Sequence, residues 1–272
     1  MTEPIIQLGP LQVALILVLA AIPIAISLKL RLGLVGEISI ATVRSIVQLV
    51  AIGLVIGWVF DQRTWYWVLA LVALMTLVAG QVGARRTEVK LKRLSGLFSL
   101  VLGGVTAITV LYLVEVILGQ RMVGVAEWNP RYIIPLAGIL LGNAMTGGSL
   151  AVERLVSDLK RQSHHIETML ALGASPAQAT HALLRSAIRT SMVPTLNTMM
   201  IVGIVQLPGM MTGQMLAGAE PLQAALYQFL ILVAIAFSTV MSATLLLFLL
   251  YRRFFTPAWQ LRRALLERLS VK

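Results

Sequence analysis

Long apolar runs alternate along this chain with short polar, mostly basic segments. An apolar stretch of about 20 residues crosses the roughly 30 Å hydrocarbon layer as a helix. Such runs lie at Leu8–Leu28, Gly36–Phe60, Trp65–Gly83, Gly96–Leu118, Tyr132–Val152, Met192–Leu216 and Ala224–Tyr251. The pattern predicts an all-α fold, a polytopic transmembrane helical bundle of about seven spans. The second run carries Glu37, Arg44 and Gln48, but its other residues are apolar enough to offset them. The first run follows no positive segment and is too long for the apolar core of a cleaved leader, so it reads as a retained helix.

The polar segments complete the outline. Asp61–Thr64, Gly119–Arg131 and Ala217–Gln223 are short loops, and Thr87–Leu94 reads as a short amphipathic helix continuing the third span. The runs imply one transmembrane domain over 1–272, with a sizeable water-facing segment only at 153–191. There Gly173 ends one helix, Ser175 caps the next, and Pro176 takes its first position, which predicts helix, tight turn, helix. In the sixth run, Gln206-Leu207-Pro208-Gly209 predicts a kink or break near Pro208, because proline removes a backbone donor. Broken backbone at membrane depth is tolerated where it faces protein or a wet cavity, so Gln206 beside it is the strongest single pathway candidate.

Composition removes the soluble reading: 58% of residues are hydrophobic and 12% charged, against about half and a quarter in soluble domains. The net charge of +11 does not point to nucleic acid, because of where it lies. All Lys and Arg except Arg44, Arg63, Arg121 and Arg131 fall in alternate segments, after the first, third, fifth and seventh runs. This positive-inside pattern places the N-terminus outside and the C-terminus in the cytoplasm of a multi-pass cell-membrane protein, with the basic face against anionic lipid. The chain has no cysteine, which excludes disulfides, thiol catalysis and thiolate metal sites.

No catalytic constellation is present. His164, His165 and His181 read as solvated loop residues, and no metal-ligand set stands out. No GxxxxGK[ST] loop occurs; the nearest spacing, Gly119–Gly124, continues into Val125-Ala126. The chain is therefore expected to have no ATPase site and no cofactor of its own. Polar residues inside spans are the functional candidates. Glu37, Ala41, Arg44 and Gln48 recur at i, i+4, i+7 and i+11, one helix face, which reads either as a cavity wall or as groups snorkelling to the interface. Asn143 and Asn197 either line a path or bond neighbouring helices. The sixth run's methionines suit soft ions and, more ordinarily, core packing. The GxxxG spacings at Gly53–Gly57, Gly138–Gly142 and Gly209–Gly213 allow close helix approach.

Glu167 followed six residues later by Gly173-Ala174-Ser175 resembles the EAA-type coupling loop of ABC permeases. Thr168-Met169 stands in place of two alanines, and the first downstream proline is Pro194. A resemblance over nearly the whole chain rests on PRYIIPLAGILLGNAM (Pro130–Met145), ALGAS (Ala171–Ser175) and PTLNTMMIVGIVQLPGMMTGQMLAGAEP (Pro194–Pro221). These segments are similar to the small permease family of bacterial iron-export ABC permeases and plant aluminium-tolerance proteins. That resemblance implies a permease subunit paired with a separate P-loop ATPase that binds ATP and Mg, with two copies of each. Glu167, Gly173, Ala174 and Ser175 would then couple to the ATPase within a cytoplasmic segment at 153–191. Glu37, Arg44, Gln48, Asn143, Asn197, Gln206 and Pro208 would be candidate pathway residues. The implied cargo is iron or another metal ion, with relief of oxidative stress, or a nucleotide-sugar as in plant members. The rival readings are an ATP-independent carrier relaying protons through Glu37 or Glu115, and a scaffold with no pathway.

Overall fold

The computed structural model describes residues 9–62, 64–87, 89, 91, 93–118 and 130–268. The described residues form helices and no strand, in two compact units. One unit holds α1 (Pro10–Lys29) and α2 (Val35–Gln62), with Leu216–Gly218, whose first residue is the last of a helix that otherwise belongs to the other unit. Its two helices pack together through a tight connection. There the Ser27 hydroxyl accepts from the Leu34 amide at 3.1 Å, and Gly33 takes a positive φ of 74° that a side chain would resist. Only 6% of the most apolar window of α2 is buried, so most of its Leu and Val side chains are left exposed for lipid or a partner.

The second unit holds α3 (Trp65–Arg86), α4 (Leu94–Leu111), α5 (Pro130–Arg161), α6 (Ser163–Ala171), α7 (Pro176–Ile201), α8 (Gly209–Leu216), α9 (Pro221–Tyr251) and α10 (Arg263–Arg268). A π-helical turn, Tyr112–Leu118, extends α4. Among the described residues, five helical segments are long and apolar enough to cross a membrane: Val35–Gln62, Trp65–Arg86, Leu94–Ile117, Pro130–Arg161 and Pro221–Phe254.

α5 is the central helix, packing on α3, α4, α7 and α9. Small residues let it do so, because helices in lipid associate by close packing rather than by hydrophobic exclusion. A Cβ on Gly148 would stand 2.7 Å from Leu246 Cδ1, and one on Gly147 would run into Thr239. At the next residue, the Ser149 hydroxyl donates to the Gly83 carbonyl of α3 at 3.0 Å. Phe98, Leu102, Leu155, Leu246 and Phe254 fill the core around this seam.

Three expectations need correcting. The fifth run does not end at Val152: α5 continues unbroken to Arg161, because Leu155, Val156 and Leu159 keep its buried stripe going. Thr87–Leu94 is not a helix continuing α3; its described residues before Leu94 are irregular, and Arg93 has φ 62°. Val89 and Leu91 instead press alternately onto the core. The sixth run is not one span: α7 stops at Ile201, the chain turns through 202–208, and only then does α8 begin. The break expected near Pro208 is present, but it opens at Val202. The Gly203 amide donates to the Gln206 carbonyl at 2.9 Å with φ 82°, and Pro208 immediately precedes α8.

Candidate functional site: the α6–α7 hairpin and the polar face of α5 and α7

The α6–α7 turn is closed by its own backbone. The Gly173 amide donates to the Leu170 carbonyl and the Ala174 amide to the Met169 carbonyl, each at 3.0 Å, which is a Schellman closure. Gly173 takes φ 92°, the left-handed region that disfavours side chains. Two residues on, Ser175 and Gln178 form a reciprocal capping box: the Gln178 amide donates to Ser175 Oγ at 3.3 Å, and the Ser175 amide to Gln178 Oε1 at 2.8 Å. Pro176 occupies the first helical turn. The helix–turn–helix read from Gly173, Ser175 and Pro176 is therefore present, with Ala174 half-buried between them.

Two features of this hairpin were missed in the sequence. Leu172, 83% exposed, stands on the turn as an apolar knob flanked by small residues; the string ALGAS carries that signal. Glu167 is held within the chain: the Arg263 guanidinium, at the start of α10, donates to both of its carboxylate oxygens and lies 3.2 Å from His164 Nδ1. This hydrogen bond holds Arg263 above the usual arginine range. The segment after α9 folds back to bring it there, burying Phe254, Phe255, Leu261 and Leu266 while the Arg262 amide donates to the Phe254 carbonyl at 2.9 Å. Nothing local to Glu167 announces a partner so far along the chain.

Just before the hairpin, Asp158 is buried on α5 between Arg154 Nε at 2.9 Å and Arg161 Nη2 at 2.6 Å. Its spacing from the two arginines, i−4 and i+3, makes the pairing legible in the sequence, though not the burial.

The pathway candidates divide between the units. Glu37, Arg44 and Gln48 lie exposed along α2 in the first unit, with no ion pair between Glu37 and Arg44 among the described residues. Asn143 on α5 and Asn197 on α7 sit on helices that pack together, and both are exposed. Asn143 Nδ2 donates to its own helix at the Ile139 carbonyl, 2.9 Å away, and Thr198 Oγ1 to that of Pro194 at 3.1 Å. Gln206 is exposed in the break, with Pro208 half-buried at its end. Glu115 is exposed in the π-helical turn, a geometry frequent at functional positions. Sequence reading passed over Gln228 on α9, whose Oε1 is buried without a hydrogen-bond partner among the described residues. Among those residues no three His, Cys, Asp or Glu side chains gather to hold a metal ion.

Helices of this length and apolarity, joined by a capped polar hairpin, define a multi-pass α-helical membrane protein. The chain belongs to the uncharacterised protein family UPF0014, whose model matches residues 10–255. A UPF0014 membrane protein of Synechocystis is 38% identical over 96% of this chain and 99% of its own. Protein ALUMINUM SENSITIVE 3 of Arabidopsis thaliana is 35% identical over 93% and 90%. The Escherichia coli protein named "Probable iron export permease protein FetB" is 31% identical over 92% and 93%. No solved structure matches the chain.

Proposed function

We propose that this chain is the plasma-membrane permease subunit of an ABC transporter, exporting iron or another metal ion and driven by a separate P-loop ATPase. The observation that carries the reading is the continuity of α7. One helix runs from the capped turn at Ser175 through Asn197 to Ile201, where the break holding Gln206 begins. At 1.5 Å per residue it is a rod of roughly 39 Å. A push on its turn is therefore carried to the break by one continuous helix rather than lost in a flexible linker, with Pro194 inside it as the point where it can bend. The similarity to the iron export permease of Escherichia coli, over nearly the full length of both chains, supports the same role.

On this reading the ATPase, with ATP and Mg, docks at Leu172–Ser175. ATP-driven closure moves the hairpin, α7 transmits the motion, and a path opens past Asn143, Asn197 and Gln206. Those polar groups are exposed on the single chain, which lipid does not tolerate cheaply. A second permease copy and the path between the two would cover them. Glu167 then serves the turn from behind, through Arg263.

Inside-out membrane vesicles test this directly. Iron accumulation that requires ATP, this chain and a co-expressed ATPase is expected. Co-purification without iron uptake would move the cargo to another class, such as nucleotide-sugars. Absence of any association would overturn the reading in favour of a gradient-driven carrier, for which Glu115 in its π-helical turn is the residue to replace with glutamine.

A further inference from the structure

Where the first half of α7 meets the last turn of α9, the surface opens into a groove of about 620 Å³. Its floor is apolar: Leu184 and Tyr251 are buried and Ile188 is half-buried. Phe248 stands edge-on to Tyr251, with centroids 6.2 Å apart at 86°. Its rim is cationic. His181, Arg185 and Arg189 follow one another at i, i+4 and i+8, so they share one face of α7, and all three are exposed. Among the described residues none of them has an acidic partner. Arg252 adds a further cation beside the groove, its Nε 3.4 Å from the Tyr251 hydroxyl.

We propose that this groove binds an anionic phospholipid, its phosphate held by Arg185 and Arg189 and an acyl chain lying over Leu184, Ile188 and Phe248. Like charges at i, i+4 destabilise a bare helix, so the Arg185–Arg189 pair is better matched by an anion than by water. Guanidinium forks meet phosphate oxygens in a bidentate, charge-assisted way. A free anion would use the rim and leave the apolar floor bare; a phospholipid uses both. The position fits as well. α9 is long and apolar enough to cross the membrane, and its last turn leads directly into the basic pair Arg252 and Arg253, which suits headgroup depth. Basic clusters immediately beyond the end of a span are where anionic headgroups are recognised. The inference rests on the membrane character of the chain and not on its cargo or its ATPase. Its consequence is mechanical: lipid bridging α7 to α9 would steady the rod at the end nearest the hairpin.

The full chain, purified in neutral detergent and stripped of lipid, is titrated with phosphatidylglycerol, phosphatidylcholine and inorganic phosphate. Thermal unfolding and native mass spectrometry are followed. Phosphatidylglycerol is expected to bind and raise Tm, phosphatidylcholine to do so weakly, and inorganic phosphate not at all. Each arginine near the surface accounts for roughly fivefold in affinity. Arg185→Gln with Arg189→Gln should therefore weaken phosphatidylglycerol binding about 25-fold, while Arg85→Gln with Arg86→Gln leaves it within about twofold. If the double variant fails to fold, Arg189→Gln alone should show a fivefold loss. The proposal is overturned if stripped protein binds no phosphatidylglycerol, if both double variants lose it equally, or if inorganic phosphate stabilises as well as the lipid does.

Discussion

A side chain at Gly148 would meet Leu246 on the seam where α5 packs against α9. The missing Cβ would stand 2.7 Å from Leu246 and 3.5 Å from Phe98. A β-branched residue there must displace the Leu246 side chain and crowd Phe98 as well. Overpacking of a tight core costs about 1–3 kcal/mol. We expect Gly148→Val to lower the thermal midpoint of the purified protein by several degrees, while Gly142→Ala, with nothing within 4 Å, leaves it unchanged or slightly higher, since Ala favours the helix over Gly. An equal response from the two would show that α5 does not approach its neighbours at Gly148. The contrast also marks what spacing alone conveys. Of the GxxxG glycines, only Gly138 has a neighbour within 4 Å, at Met75. Closer contacts fall at Gly80, Gly83, Gly103, Gly147 and Gly148, outside that pattern. Sequence spacing lists surfaces that permit approach; which of them is used depends on the face each helix turns inward. Asp158 makes the same point for polar groups, since its pairing is local and legible but its burial is not.

At the scale of elements, the hairpin was the most legible part of the site because its chemistry is local. Gly173 supplies a positive φ, Ser175 a cap and Pro176 a first-turn residue, all within four positions. The bond from Arg263 to Glu167 was not legible, since it joins residues 96 apart and depends on the fold-back after Tyr251. Thr87–Leu94 misled because two apolar residues among cations fit a helix face and an alternating loop equally well. Two variants separate the parts of the hairpin. Gly173→Val puts a β-branched residue in the left-handed region, at about 1–2 kcal/mol, and should abolish transport with membrane insertion intact. Arg263→Glu should loosen α6, read as faster hydrogen exchange over its last turn, and lower transport. Glu167→Arg in the same chain should restore both by re-forming the pair in reverse. Failure of the swap to restore exchange would mean that burial of Leu261 and Leu266, not the ion pair, holds the C-terminal segment.

For the whole molecule, the sequence conveyed the all-α membrane class and the apolar runs, and left side-to-side orientation to charge. The second unit sharpens that question. α3, α5 and α9 each end at basic residues, Arg85 and Arg86, Lys160 and Arg161, and Arg252 and Arg253, while α4 starts beside Arg93. Helices that cross in turn must then share one basic end, and the α6–α7 hairpin stands at that end because it directly follows Arg161. ATP is on the cytoplasmic side, so the coupling proposal requires the basic end to be cytoplasmic. The absence of native cysteine makes this measurable in intact cells. With a membrane-impermeant thiol reagent, Asp61→Cys at the end of α2 should label, whereas Leu172→Cys and Ala258→Cys should label only after the membrane is opened. Asp61 and Leu172 reacting from the same side would break the alternation of spans between them. Leu172 reacting from outside would place the hairpin beyond the reach of any ATPase, and the coupling role of α7 would fall with it while the packing around α5 stood.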